Sequence, residues 1–217
     1  MKTSSLIPCL LALAGLLAAP LASSSANLVV TNLADSGPGA LRSALTNAAS
    51  GAVITFDPSL SGATITLSNT LTINTNLTID ASALSGGLQI NGNGSVQIVN
   101  VASNITVFLN SLTITNGNYT NENSFFGGGG IYNDGTILLT NCTLSGNSAT
   151  NGFGGGIYNG GLLTLNQCTL SGNSAGRGGG IYNRASVITL NQCTLSGNLA
   201  SGNHGFGGGI ADYEGTV

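Results

Sequence analysis

Charge is what this chain has least of. Lys and Arg number 4 and Asp and Glu 7 among 217 residues, and the formal net charge is −3. Nucleic acids and anionic membranes are held by clustered Lys and Arg. Lys2, Arg42, Arg177 and Arg184 are scattered singly, so both partner classes are excluded. Trp is absent and His204 is the single histidine. A tetrahedral metal site closed by imidazoles therefore has too few donors, and no metal or cofactor is expected. Solubility must come from Asn, Ser and Thr rather than from charge.

Long apolar runs are equally rare. The one at residues 6–21 is interrupted by Pro8 and Pro20 and is short for a membrane span. Lys2 precedes it and Ser24-Ser25-Ala26 follows it, the layout of a cleavable secretory signal over residues 1–26. Cys9 comes before the apolar run instead of after it, which argues against a lipoprotein box. The protein is expected to leave the cytoplasm, with the rest of the chain forming one solenoid domain.

What is abundant is glycine, 34 residues, and repetition. GGGIYNDGTILLTNCTLSGNSA starts at Gly128, GGGIYNGGLLTLNQCTLSGNSA at Gly154 and GGGIYNRASVITLNQCTLSGNLA at Gly178, and GGGIADYEGTV follows from Gly207. Ile131, Ile157, Ile181 and Ile210 are 26, 24 and 29 residues apart. Such a period means one supersecondary unit stacked on itself. Within the second copy, Leu163 and Leu165 alternate with polar neighbours as in a strand with one buried face. Cys168 and Leu170 continue the alternation out of phase, so a corner falls at Asn166-Gln167. Ser171-Gly172-Asn173 is a second corner, and the segment from Gly154 to Asn159 supplies a third strand, with Ile157 inside and Tyr158 outside. Three short strands per repeat make one coil of a parallel β-helix. Stacking then files Ile131, Ile157, Ile181 and Ile210 into one column and Leu144, Leu170 and Leu195 into another. Asn133, Asn159 and Asn183 are expected to form an amide ladder, as are Asn147, Asn173 and Asn198.

The alternation of GGGI (Ile131, Ile157, Ile181, Ile210) with LxxN (Leu144 to Asn147, Leu170 to Asn173, Leu195 to Asn198) resembles the GGAI and FxxN repeats of chlamydial polymorphic outer-membrane proteins and related bacterial β-helix surface proteins, with Leu in place of Phe. The resemblance runs from about residue 110 onward. It implies a right-handed helix, in line with the preference of parallel crossovers. It also implies a secreted or outer-membrane-surface location.

Residues 27–51 read as an N-terminal cap: a strand at 27–32, a turn at Ser36-Gly37-Pro38-Gly39, and a helix at 40–49 with Leu41, Ala44, Leu45 and Ala48 on one face. This segment also resembles the leading part of many secreted bacterial β-helix proteins. Arg42 is expected to project to solvent. The β-helix occupies residues 52–217, with strands at 53–56, 63–67, 71–73, 77–79, 88–90, 96–99, 105–109 and 112–114, and with close repeats from about residue 127. The last coil reads as incomplete, so a missing C-terminal region or end-to-end self-association is expected.

Cys142, Cys168 and Cys193 share one inward position that Leu112 fills a coil earlier, which favours packing as small hydrophobes over disulfide or metal. Coil length varies between each LxxN corner and the next GGG. Variable loops on a rigid scaffold are where function sits, and these would gather Tyr119, Glu122, Phe125, Phe126, Phe153, Arg177, His204 and Phe206 as a ligand-binding face. The bland alternative is that Phe126, Phe153 and Phe206 pack on the glycines. Outward Thr143, Thr169 and Thr194 form a single traceable column, whereas ice-binding solenoids use two.

Right-handed β-helices include polysaccharide lyases and glycoside hydrolases, which is the alternative reading. A hydrolase needs paired carboxylates about 5–9.5 Å apart. Asp35, Asp57, Asp80, Glu122, Asp134, Asp212 and Glu214 make no convincing pair. Asp134 and Arg184 share a corner two coils apart, and Asp212 and Glu214 neighbour each other only in the incomplete last coil. The sequence therefore favours a non-enzymatic exported scaffold, adhesive or passenger-like, whose partners are surface glycans or proteins of a host or neighbouring cell.

Overall fold

The structure, a computed structural model, describes residues 27–120, 126–202 and 207–217. Short parallel strands stack into a β-helix of about 7 turns. The first sheet holds seven strands, Asn27–Val30, Ala52–Phe56, Leu77–Asp80, Thr106–Asn110, Thr136–Thr140, Leu162–Asn166 and Ile188–Asn191. The second holds six, Thr64–Thr66, Leu88–Asn91, Leu112–Thr115, Thr143–Ser145, Thr169–Ser171 and Thr194–Ser196. The third also holds six, Leu71–Ile73, Val99–Val101, Ile131–Asn133, Ile157–Asn159, Ile181–Arg184 and Ile210–Tyr213.

The columns stand in register. Ile131 pairs with Ile157, Ile157 with Ile181, and Ile181 with Ile210. Leu144, Leu170 and Leu195 do the same in the second sheet. The first three isoleucines are fully buried, and each contributes about 1.5–3 kcal/mol of burial. The corner between the first and second sheets is made by one left-handed residue per coil, Ser111, Asn141, Gln167 and Gln192, with φ between 52° and 58°. That single residue shifts the alternation, so Cys168 rather than Gln167 turns inward. Polar side chains tolerate this region better than branched ones, at a cost of about 1–2 kcal/mol.

Both amide ladders are present. Asn133 Nδ2 donates to Asn159 Oδ1 at 2.7 Å, Asn159 Nδ2 to Asn183 Oδ1 at 2.8 Å, and Asn183 Nδ2 to Asp212 Oδ1 at 2.7 Å. At the other corner Asn147 donates to Asn173, and Asn173 to Asn198, each at 2.9 Å. No buried side-chain nitrogen or oxygen among the described residues lacks a partner.

Four sequence expectations are corrected. The repeats carry a fourth strand: Ser148–Phe153, Ser174–Arg177 and Leu199–Ala200 pair in a three-stranded parallel sheet where variable loops were expected. Its sequence has little apolar alternation, and stacking alone supplies the main-chain partners. The expected strand at 96–99 lies instead at Val99–Val101, because Ser95 and Val96 turn back to the Gly92 carbonyl. The helix is Leu41–Asn47, shorter than expected; Leu41 is buried, and Ala44, Leu45 and Ala48 pack on the core.

Arg42 is the fourth correction, because it does not project into solvent. Its guanidinium donates to Asp35 Oδ1 at 2.5 Å, to the Thr70 carbonyl at 2.8 Å and to the Asn69 carbonyl at 2.6 Å. Ser68 donates its hydroxyl to the other oxygen of Asp35. The residue thus ties the cap to the coil beneath it.

Candidate functional site

The outer face of the third sheet carries a ladder of aromatic rings. Each Ile-Tyr-Asn strand turns Ile into the core and Tyr to the exterior, so Tyr132, Tyr158 and Tyr182 stand in register. Tyr132 and Tyr158 stack with centroids 5.0 Å apart and planes 3° from parallel; Tyr158 and Tyr182 follow at 5.8 Å. Aromatic pairs at such distances add about 0.5–1.5 kcal/mol beyond their burial.

Phe126 and Phe153 come over this ladder from the side of the variable segments and are bridged to each other through the backbone. Phe153 stacks on Tyr182 at 4.5 Å, and Phe126 meets Tyr158 edge-on at 6.0 Å. Two guanidiniums complete the cover: Arg177 lies 5.3 Å from the Phe153 centroid and Arg184 lies 4.4 Å from that of Phe126. The roof explains a departure from the sequence reading. Tyr158 is outside the barrel as expected, yet it is only 1% exposed, and with Tyr182 it forms a second small hydrophobic cluster.

The phenols are held neutral. Burial pushes Tyr132 upward, helped by Asp134, whose Oδ2 accepts from the Tyr132 hydroxyl at 2.9 Å. Burial also raises Tyr158 and Tyr182; for Tyr158 a hydrogen bond from Arg184 acts in the opposite direction. All three phenols therefore stay protonated near neutral pH.

Of the face expected from sequence, the structure brings together Phe126, Phe153 and Arg177. Tyr119 is half-buried, with its ring against Gly127. Glu122, Phe125, His204 and Phe206 lie outside the described residues. Phe126 and Phe153 pack on the tyrosine ladder, against Tyr158 and Tyr182 respectively. Sequence reasoning missed Tyr132, Tyr158, Tyr182 and Arg184 as members of the face. The signal was the Tyr column itself, one residue past each inward Ile and alongside inserts that end in Phe.

The described carboxylates are mostly engaged structurally. Asp35 is held by Arg42 and Ser68, and Asp57 caps a short 3-10 turn through Ser59. Asp80 accepts from Ser82 and Asn110, Asp134 from Tyr132, and Asp212 from Asn183. Among the described residues no three His, Cys, Asp or Glu side chains gather round one point. The described cysteines are free, with Cys142 and Cys168 buried and Cys193 partly so.

The second sheet presents a different surface. Its outward side chains form two columns rather than the single one traced in the sequence. One runs through Thr113, Thr143, Thr169 and Thr194, the other through Thr115, Ser145, Ser171 and Ser196. Among the described residues no helix is long and apolar enough to cross a membrane. No protein-family profile matches the chain, and no curated protein matches it in sequence.

Proposed function

We propose that the protein is an exported, non-enzymatic β-helix scaffold that presents a surface for adhesion. The observation that carries this reading is the aromatic and guanidinium face built on the Ile-Tyr-Asn strands. Phe126 is 41% exposed, and Tyr213, paired with the exposed Arg184, is 51% exposed. Rings and guanidiniums at the rim of a rigid platform suit contact with sugars or with protein side chains. The ring packing behind them is already closed, which favours surface contact over substrate enclosure. The leader-like residues 1–26 and the resemblance to chlamydial surface repeats support export and a cell-surface or extracellular location. The partner class is a surface glycan or a protein on a host or neighbouring cell.

The test incubates the purified chain with a panel of polysaccharides while following bound ligand, unsaturated products and new reducing ends. Retention without turnover, weakened by Arg184→Ala, is the expected result. Turnover of any member would overturn the reading in favour of a lyase or hydrolase.

A further inference from the structure

The three thiols are copies of one another along the helix axis. Each sulfur donates to the carbonyl two residues earlier, at 3.3 Å for Cys142, 3.3 Å for Cys168 and 3.4 Å for Cys193. The same S–H proton can instead reach a carbonyl one coil below, that of Leu109, Leu139 or Leu165, with the sulfur at 3.5, 3.5 and 3.4 Å. The following residues are locked in register by Thr169 N–H to Cys142 O and Thr194 N–H to Cys168 O, both 2.9 Å. Side chains with the same partners in successive coils are related by the coil translation, which places neighbouring sulfurs about 4.8 Å apart.

That spacing discriminates between chemistries. A disulfide needs Cβ atoms about 3.5–4.5 Å apart and sulfurs in direct bonding contact, whereas translated strands keep both pairs near the coil spacing. Two metal–thiolate bonds of about 2.3 Å laid end to end span about 4.6 Å, which the column accommodates without moving a strand. The side chains point inward across the axis, so a metal on the axis meets each sulfur at a bent angle, as a divalent sulfur prefers. Among the described residues no further His, Cys, Asp or Glu gathers at this point to complete a tetrahedral set.

We propose that the Cys142–Cys168–Cys193 column is a binding site for a soft cation of linear, two-coordinate preference, of the Cu(I) or Hg(II) class, seated between Cys168 and one neighbour. Thiolate donors select soft ions. Binding replaces two S–H bonds by two S–metal bonds and releases two protons. The mercuric adduct is neutral and the cuprous one keeps a single negative charge, so the apolar interior favours the mercuric ion. One sulfur cannot carry two linear ions on opposite sides without a straight metal–sulfur–metal angle, so the column takes one ion. This inference is independent of the proposed surface role.

The test uses the full chain carrying Cys9→Ser, titrated anaerobically with a mercuric salt in one arm and with a Cu(I) chelate in the other. One ion per chain is expected in each arm, with tighter retention of Hg(II), two protons released, and an X-ray absorption shell of two sulfurs. Cys168→Val should abolish the site in both arms, because it removes the shared ligand. Cys142→Val and Cys193→Val should each keep one ion. Leu112 occupies the same column one coil earlier, so the valine variants are expected to fold, and an unchanged far-UV circular dichroism spectrum checks that. Retention of the ion by Cys168→Val would overturn the proposal, as would its loss from both outer variants, a shell of three or more donors, or metal-dependent dimerisation.

Discussion

Replacing Asn173 with alanine removes the centre of the better-connected amide ladder. Its Oδ1 accepts from the Asn147 main-chain N–H at 3.0 Å and from the Asn147 side chain at 2.9 Å. Its Nδ2 donates to the Leu144 carbonyl at 3.0 Å and to Asn198 Oδ1 at 2.9 Å. In the alanine variant the Asn147 side chain keeps the Ile114 carbonyl, and Asn198 Oδ1 keeps the Asn173 N–H. The buried Asn147 N–H is left without an acceptor, which costs about 1–3 kcal/mol, and each of the other lost bonds costs about 0.5–1.5 kcal/mol. With three such bonds lost, the expected destabilisation is about 2.5–7.5 kcal/mol, a large share of the total for a domain of this size.

Urea titration followed by far-UV circular dichroism measures the effect, with Thr169→Ala on the outer face as a control expected within about 0.5 kcal/mol of the parent. Asn173→Asp sharpens the test through its pH dependence. A carboxylate there still accepts from Asn147 but faces the oxygens of Leu144 and Asn198 without a proton to give. Its folded pKa should rise above the unfolded value of about 3.9. The variant is then closest to the parent below that value and loses stability as pH rises through the raised one. An Asn173→Ala loss under about 1 kcal/mol in a soluble monomer, or a flat pH response of Asn173→Asp, would refute the claim that the ladder holds the coils together.

The cap should respond to acid in the opposite sense. Burial raises the Asp35 pKa, but the Ser68 and Arg42 hydrogen bonds outweigh it and the net shift is downward. The clamp is therefore complete above about pH 4 and is lost as pH falls through the lowered folded value. Amide exchange in Leu41–Asn47 should accelerate in that range, and in Asp35→Asn it should be fast already at neutral pH. Gly155→Ala should abolish soluble expression, because a Cβ there falls on the carbonyl oxygens of Ser174 and Gly179. Gly172→Ala, at φ 61° with open space around it, should cost only about 1–2 kcal/mol by denaturant titration. Tyr158→Ala empties the middle of the ring stack and should cost about 3–5 kcal/mol, whereas Tyr158→Phe keeps the stacking and should stay within about 1 kcal/mol.

The columns of Ile, Leu, Cys and Asn were legible because each is a spacing in the chain, and in a stacked fold a spacing becomes a contact. The corner at Gln167 was legible for a related reason: inward and outward residues change phase there, and only a left-handed residue produces that change without an insertion. The segment Ser148–Phe153 gave no such signal. Its residues are mostly polar or glycine, and its pairing with Ser174–Arg177 depends on where the neighbouring coil places its free amides. Arg42 failed for a similar reason, since its acceptors at Asn69 and Thr70 are main-chain oxygens on a different coil.

The aromatic face lies between these cases and shows where sequence reading of a solenoid stops. Alternation gives the direction of Tyr158 correctly, away from the barrel. Burial, however, depends on what lies over a side chain as well as on which way it points. Here the cover is Phe126 and Phe153, which belong to segments of variable length, and Arg184, which belongs to the coil above. In a stacked fold the inner surface is therefore read from one repeat. The outer surface is read only by comparing a repeat with its neighbours, at the positions where they cease to be copies. By that argument the exposed rim made of Phe126, Arg184 and Tyr213 is where partner recognition should concentrate. Exchanging the Arg184 and Gly160 side chains between their coils should alter ligand retention while leaving the far-UV circular dichroism spectrum unchanged. Unaltered retention would show that recognition lies elsewhere on the solenoid.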